Sequence, residues 1–215
     1  MALHRLLLVA LLGTSTSLSL RPVKDVLQRL EFDANLEADR FSFFYREAQE
    51  PLRRGAAFDA VNDVVNGTER RLALALPQHR IGFFTYGDRL VWHRERRIDR
   101  VFGSGRTPDT KIGDVVAGYG AWQERRRDAA RDVIESARAR LDKREFDEIR
   151  AATRAAQLLE ITPAAWVDEA EALLGLKIMT SFIINLPDVA LREGIADALE
   201  ARGAPLSPRL WIDVF

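Results

Sequence analysis

The sequence predicts an α+β protein: a small antiparallel sheet with a central hairpin and flanking helices, followed by a mainly helical C-terminal region. Three observations indicate this fold. Residues 79–94 form two strand-like runs around a turn, residues 22–46 a helix-like and a strand-like run, and apolar residues beyond position 116 recur at helical spacing. With 215 residues and 47% hydrophobic side chains, the chain is long enough to bury a core.

The hairpin is the clearest element in the sequence. His79–Thr85 and Leu90–Arg94 are rich in aromatic and β-branched residues, as strands are. Gly87 and Asp88 lie between them and form a favourable two-residue turn. We therefore predict one antiparallel hairpin in the middle of the N-terminal half.

The turn also predicts which side chains share a face. Centring it on residues 87–88 pairs Phe83 with Trp92 and places His79 and His93 on opposite faces, although a slip of one residue would exchange the faces. Histidines on opposite faces are poorly placed to act as acid and base on one phosphodiester. Each of them is also explained by an ordinary structural hydrogen bond.

Capping signals divide the helical region. Asp142 and Glu145 have the spacing of a capping box, which predicts that a new helix starts at Asp142. Thr162 followed by Pro163 predicts a second helix start, and we expect that helix to end at Gly175.

The last forty residues predict a strand–helix–strand unit. Lys177–Asn185 is β-branched and apolar, Pro187–Arg202 has helical spacing, and Arg209–Phe215 has the composition of a return strand. Two strands alone are not stable, so this unit would have to join the N-terminal sheet or meet a partner.

Three segments follow from these patterns: a cleavable leader or targeting segment at residues 1–20, an α+β domain at 21–115, and a helical region of unassigned role at 116–215. The apolar run Leu6–Leu12 is too short to span a bilayer comfortably, so no stable membrane span is expected after leader removal. The leader favours localisation to an organelle, such as a plastid that is reached through a signal-type leader. The secretory pathway is the alternative.

Charge and composition exclude several kinds of site. The formal net charge is zero, but residues 77–111 hold eight basic and four acidic side chains, whereas residues 123–215 hold 14 basic and 17 acidic ones. Positive potential therefore belongs to the hairpin region. Without cysteine there is no disulfide, thiolate metal site or cysteine nucleophile, and three histidines make a histidine zinc site improbable. We expect no metal and no cofactor.

One longer motif resembles a known family. It consists of His-Arg-Ile at 79–81, two aromatic residues, the turn, and Val-Trp-x-Arg-x-x-Arg-Ile-Asp-x-x-Phe-Gly-Ser at 91–104. Upstream, Val23–Asp33 looks like the opening helix and Phe41–Arg46 like the first strand of the same family. Over about residues 22–104 the chain resembles the MJ1316-type domain, regarded as an RNA cyclic-group end recognition domain and often joined to RNA-repair enzymes.

The resemblance marks particular positions and two departures. His93 stands where the family usually has Asp, and Gly82 stands where a basic residue often follows. These departures remove a carboxylate and a positive charge from the pattern. The positions that the family pattern marks in this chain are His79, Arg80, Ile81, Trp92, Arg94, Arg97, Asp99, Gly103 and Ser104.

The chemistry of these residue types suits an RNA end. Arginines such as Arg80, Arg94 or Arg97 can grip a 2′,3′-cyclic phosphate with two parallel hydrogen bonds. His79 could add a further hydrogen bond, and Trp92 is either a core residue or a platform for the last base.

The remaining marked residues have supporting roles in this hypothesis. We expect Asp99 to hold Arg97 or Arg94 in position. Gly103-Ser104-Gly105 is either a flexible exit loop or a backbone-amide contact to phosphate.

We therefore expect a non-catalytic module that binds single-stranded RNA ends in repair or processing, with a repair enzyme in trans as a partner. No catalytic residue is assigned. A phosphodiester-processing enzyme is the first alternative, and it requires His79 to converge with a second titratable group in one pocket. A protein-interaction scaffold is the second, and it requires an apolar patch on the helices and hairpin arginines neutralised by carboxylates.

Overall fold

The computed structural model describes residues 19–45, 53–56, 76–107, 109–186 and 188–206, and it confirms the α+β class. The strands are β1 (Phe41–Tyr45), β2 (Arg53–Ala56), β3 (Ile81–Tyr86), β4 (Arg89–His93), β5 (Ile98–Asp99) and β6 (Ser104–Gly105). The helices are α1 (Val23–Phe32), α2 (Ile112–Ala117), α3 (Tyr119–Arg140), α4 (Lys143–Gln157), α5 (Pro163–Asn185) and α6 (Val189–Ala201). Short 3₁₀ turns lie at Ala38–Arg40 and Gln78–Arg80.

The strands form one antiparallel sheet in the order β2-β1-β3-β4-β5-β6. The predicted hairpin is confirmed as β3 and β4, and Tyr86 pairs with Arg89 across the two-residue turn. Gly87 has a φ of 57°, and a Cβ atom there would lie 1.9 Å from the Tyr119 hydroxyl oxygen. Only glycine satisfies both the backbone angle and the close approach.

The predicted register beyond the turn is wrong by one residue. A bulge lies between Phe84 and Thr85, so Phe84 pairs with Trp92 and Phe83 with His93. The extra residue on β4 is Val91, and a bulge of this kind shifts every later pair. Trp92 therefore shares its face with Phe84, and His93 stacks on Phe83 with ring centroids 5.3 Å apart.

Both faces of the sheet are covered. Helices α1 and α2 and the start of α3 cover one face, and the C-terminal helices cover the other. Burial of each large apolar side chain contributes about 1.5–3 kcal/mol, so the two layers together stabilise the sheet. The first core includes Val26, Leu30, Phe43, Phe84, Trp92 and Trp122. The second includes Phe44, Phe83, Leu90, Ile98, Ile149, Trp166, Ile183 and Ile195.

The predicted helix starts are confirmed. The Asp142 carboxylate accepts from the Glu145 amide at 2.8 Å, and the Glu145 carboxylate accepts from the Asp142 amide at 2.9 Å. Thr162 Oγ1 accepts from the Ala165 amide at 3.2 Å. The expected end at Gly175 is instead a kink, because this residue has a φ of 66° and the helix resumes after it.

The strand predicted at Lys177–Asn185 is wrong, because this segment is the second half of α5. Buried Met179 and Ile183 are four residues apart and lie on the face that packs in the second core. A short apolar run fits a buried helix as well as a strand, and the surrounding helices decide between them. The helix predicted after it is confirmed as α6.

Several predictions fall outside the described residues. Residues 1–18 of the predicted leader and the return strand at Arg209–Phe215 are among these, and the segment boundaries at 20 and 115 stay predictions. Across the described ranges, no helix combines the length and the apolar character needed to cross a membrane.

Candidate functional site

The predicted site residues meet at one end of the sheet, opposite the Gly87-Asp88 turn. At this end β3 and β5 begin and β4 and β6 finish. The connecting residues are held together by the backbone: the Arg94 amide donates to Gly82 O at 2.9 Å, and the Arg106 amide to Arg97 O at 2.7 Å. We call this end the basic edge, which comprises His79, Arg80, Arg94, Arg97 and Arg106.

Local backbone geometry exposes most of the basic edge. His79 and Arg80 were expected to begin a strand, but they lie in the 3₁₀ turn Gln78–Arg80, and both are exposed. Arg97 is exposed in the tight turn between β4 and β5, with a φ of 56°. Arg106 follows β6 and is also exposed. Three arginines therefore face solvent at this end of the sheet.

Arg94 has a structural task as well. Its Nε donates to Ile81 O at 3.2 Å and its Nη2 to Gln78 O at 2.5 Å, which fastens the 3₁₀ turn to β4. The guanidinium also lies 5.6 Å from the centre of the Trp92 ring. A guanidinium has five N–H donors, so this arginine retains donors beyond the two it spends on carbonyls.

Trp92 is a core residue and not a stacking platform. It is 1% exposed, and its Nε1 donates to Arg21 O at 3.1 Å. Of the two roles considered for Trp92, stacking on the last base therefore does not fit its buried position. The Arg94 guanidinium lies over the indole ring, and the N–H edge of the ring is bound to the Arg21 backbone.

Asp99 organises a turn and does not hold an arginine as expected. The carboxylate is fully buried; Oδ1 accepts from the amides of Val101 at 3.0 Å and Phe102 at 2.9 Å, and Oδ2 accepts from Ser104 Oγ. Ser104 is buried with its hydroxyl committed to this bond.

Gly105 completes the same turn. It has a φ of 64°, and a Cβ there would lie 2.2 Å from Arg97 O. The Gly-Ser-Gly run is therefore built into the fold, where it sets the backbone position of Arg97.

A surface cleft of about 560 Å³ adjoins this arrangement. The Arg21 guanidinium lies 5.6 Å from the centre of the Phe102 ring, and Phe32 across the cleft is 76% exposed. Arg29 also lines the cleft and is paired with Asp33 at 2.9 Å. Sequence reasoning missed Arg21 and Phe32 because neither lies in the hairpin motif, although Phe102 does.

A comparison with protein families now bears on this end of the sheet. Residues 20–94 match the MJ1316 RNA cyclic group end recognition domain. The match runs from α1 to Arg94 and so includes the hairpin; Arg97 and Arg106 follow it. Its description suggests recognition of RNA ends. No solved structure matches the chain.

His93, where this chain departs from the usual MJ1316 pattern, is absorbed into the fold. Its Nδ1 accepts from the Arg96 amide at 3.1 Å, and its Nε2 lies 3.0 Å from Glu193 Oε1 on α6. Both ring nitrogens of His93 are therefore engaged within the fold. This position of the matched segment is thus a contact with the C-terminal helices.

Arg96 points away from the basic edge toward the same helix. Its guanidinium lies 3.6 Å from Glu193, 3.4 Å from Asp197 and 3.1 Å from Glu200. Burial alone would raise the pKa of Glu193, but His93, Arg96 and Arg192 outweigh burial and lower the pKa below its ordinary value. A carboxylate that stays ionised keeps Arg96 neutralised and out of reach of a ligand.

The two alternative functions, phosphodiester processing and protein scaffolding, each required a particular arrangement of side chains. In the part of the chain that the structure describes, His79 bonds to no side chain, and no group of three histidines or carboxylates could hold a metal ion. The scaffold alternative required every hairpin arginine to be neutralised. Arg96 fits that requirement, but Arg80 forms no ion pair with any described residue.

Proposed function

We propose that the basic edge binds the end of a single-stranded RNA, with a terminal 2′,3′-cyclic phosphate as the preferred group. The observation that carries this proposal is the gathering of Arg80, Arg94, Arg97 and Arg106 at one sheet end, three of them exposed. Arg80 and Arg94 lie in the segment that matches the RNA-end recognition family, and Arg97 and Arg106 follow it.

Phosphate chemistry explains why arginine is the residue used. A cyclic phosphate carries one negative charge on two exposed oxygens, and the fork of a guanidinium can donate to both at once. Arg80 and Arg97 have the exposure needed for this contact. His79, which is exposed beside Arg80, supplies a further donor.

The terminal base has a place to stack in the adjoining cleft. Trp92 is inaccessible, but Phe102 with Arg21 above it, and Phe32 across from it, offer aromatic and guanidinium surfaces. Stacking of a base on such surfaces contributes about 1–3 kcal/mol in single-stranded complexes. The strand would then run from the basic edge into the cleft, above the buried indole.

The cellular setting belongs to the same proposal. A module that binds RNA ends suits RNA repair or processing, with an enzyme acting in trans on the held end. The leader-like first twenty residues favour an organelle as the place of action.

The test compares one RNA sequence with four 3′ ends: cyclic phosphate, 3′-phosphate, 2′-phosphate and hydroxyl. Affinities are measured at about 50 mM and about 200 mM salt, because phosphate contacts make binding salt-dependent. We expect the cyclic phosphate to bind at least about tenfold more tightly than hydroxyl, a difference of about 1.4 kcal/mol. Equal affinity for all four ends would reject end recognition.

Paired variants assign the binding to the basic edge. Arg80→Gln combined with Arg97→Gln should remove most of the preference for the cyclic end. Arg131→Gln combined with Arg144→Gln removes the same charge from exposed helical positions and should leave that preference intact. A preference that survives in the first pair would place the site elsewhere.

A further inference from the structure

The helical region carries a second cationic and aromatic surface, far along the chain from the family match. It is a groove of about 780 Å³ lined by α3, α4 and the second half of α5. The residues that matter here are Arg138, Phe146, Arg150, Arg154 and Phe182.

Phe146 holds two of the arginines in the groove. The guanidinium carbons of Arg138 and Arg150 lie 5.1 Å and 6.0 Å from the centre of its ring. The ring itself is half-buried and packs against the helical core, so it does not move freely. A guanidinium resting on a ring keeps its N–H edges available to phosphate oxygens and offers a plane on which a base can stack.

The charges of the groove are not balanced. Arg150 has an exposed partner in Asp147 at 3.7 Å. Arg138 and Arg154 form no ion pair with any residue that the structure describes. Covering of apolar surface would account for Arg138, which lies over Phe146. Arg154, by contrast, covers no ring and meets no carboxylate among the described residues.

We infer that this groove binds single-stranded RNA along its internal nucleotides. Phosphates would lie on Arg138 and Arg154, and bases would stack against the guanidiniums ordered by Phe146. A positive groove with an aromatic ring is the arrangement that binds single strands without regard to sequence. This inference goes beyond the proposed function, because neither end of the strand takes part.

The test uses a circular single-stranded RNA of about 24 nucleotides, long enough for such a groove and without any end. The full chain should bind it, and Arg138→Gln combined with Arg154→Gln should weaken binding about tenfold. The slope of log affinity against log salt should fall by about 1.4, since each lost contact to a single strand accounts for about 0.7. Phe146→Leu should weaken binding as well, by loosening both arginines.

Two controls separate this site from the basic edge. Arg131→Gln combined with Arg144→Gln gives the same loss of charge at exposed positions outside the groove and should change the affinity less than twofold. Arg80→Gln combined with Arg97→Gln should leave circular RNA binding intact while it removes discrimination between linear ends. If the proposed function fails, the wild-type chain will bind all linear ends with equal affinity. That result is independent of whether the chain binds circular RNA.

Three results would overturn the inference. The first is no binding of circular RNA, the second is equal weakening by the groove pair and the control pair, and the third is equally good competition by polyglutamate of similar charge. Thermal unfolding of each variant identifies any that fails to fold. If Phe146→Leu does not fold, the arginine pairs still provide the test, because they lie on the surface.

Discussion

Asp99 shows how a single buried carboxylate can define the shape of a turn. It accepts from two successive amides and one hydroxyl, all within five residues downstream. These bonds fix the backbone from Val101 to Ser104 and hold Phe102 beneath Arg21. The residue therefore shapes the cleft through the backbone of this turn.

Replacing Asp99 with alanine should destabilise the fold by about 2–4 kcal/mol, because two buried donors and one partly buried donor lose their acceptor. Urea denaturation measures this loss. Asp99→Asn should cost less, since its amide oxygen can still accept from the two backbone amides. A variant that loses RNA affinity with unchanged stability would instead favour a direct ligand role for Asp99.

At the residue scale, sequence reasoning located the charges better than it located the contacts. Arg80 and Arg97, which the motif marked, are both exposed at the basic edge. Of the two roles considered for Trp92, the core position is the one observed. Asp99 does not hold an arginine as expected, because a residue type does not reveal which donors its oxygens accept from. The close spacing of Asp99 and Ser104 was a signal for a side-chain-stabilised turn that could have been used.

The hairpin turn depends on one glycine and the tyrosine behind it. The Tyr119 hydroxyl donates to Asp88 Oδ1 at 2.8 Å and accepts from the Asp88 amide at 3.3 Å. Burial, together with its bond to Asp88, raises the pKa of Tyr119, so the phenol stays protonated and keeps donating. The ring therefore cannot withdraw to make room beside Gly87.

Gly87→Ala should destabilise the protein by about 2 kcal/mol or more, through both the positive φ and the collision with Tyr119. Gly113→Ala is the matched control, because a Cβ in that helix meets nothing within 4 Å. The control should be neutral or stabilising by less than about 1 kcal/mol. Similar melting temperatures for the two variants would contradict the role of Tyr119.

Elements with local signals were predictable, and elements decided by packing were not. The capping residues Asp142 and Thr162 bond within three residues, so their helix starts follow from the sequence alone. The bulge at Val91 and the helical state of Lys177–Asn185 have no such capping residue to mark them. Such choices leave no unambiguous periodic signal in the sequence.

Across the whole molecule, buried charges join the sheet to the helices. Asp88 Oδ2 pairs with Arg126 Nη1 at 2.6 Å, and Arg192 Nη2 donates to Asp88 O at 3.0 Å. Burial lowers the pKa of Arg192 to about 9, with Arg126 acting in the same direction and Asp88 opposing, so it is still charged at neutral pH. Together with the contacts of Glu193, these bonds fix α6 against the hairpin.

The contribution of Glu193 should depend on pH. Its pKa in the folded chain lies below the ordinary 4.5, so its stabilising effect is complete above that value and is lost as pH falls through the folded pKa. At about pH 7, Glu193→Gln should lower the free energy of unfolding by about 1–3 kcal/mol, since the carboxylate faces His93, Arg96 and Arg192.

Below pH 4.5 the stability difference between the wild type and Glu193→Gln should shrink, because a protonated Glu193 resembles glutamine. Denaturant titrations of both chains at a series of pH values measure this convergence. Glu200→Gln, on the exposed side of Arg96, should have little effect at any pH. A constant difference down to about pH 3 would show that Glu193 is not held ionised.

The covering of the sheet on both sides bears on how the matched segment can be handled. A fragment cut after residue 94 would leave Phe44, Phe83 and Leu90 facing water where the C-terminal helices now lie. Contiguous apolar surface of that kind promotes aggregation. The bounds of the family match, residues 20–94, are therefore poor bounds for an expressed fragment. Studies of RNA binding should retain the helices at least through residue 206.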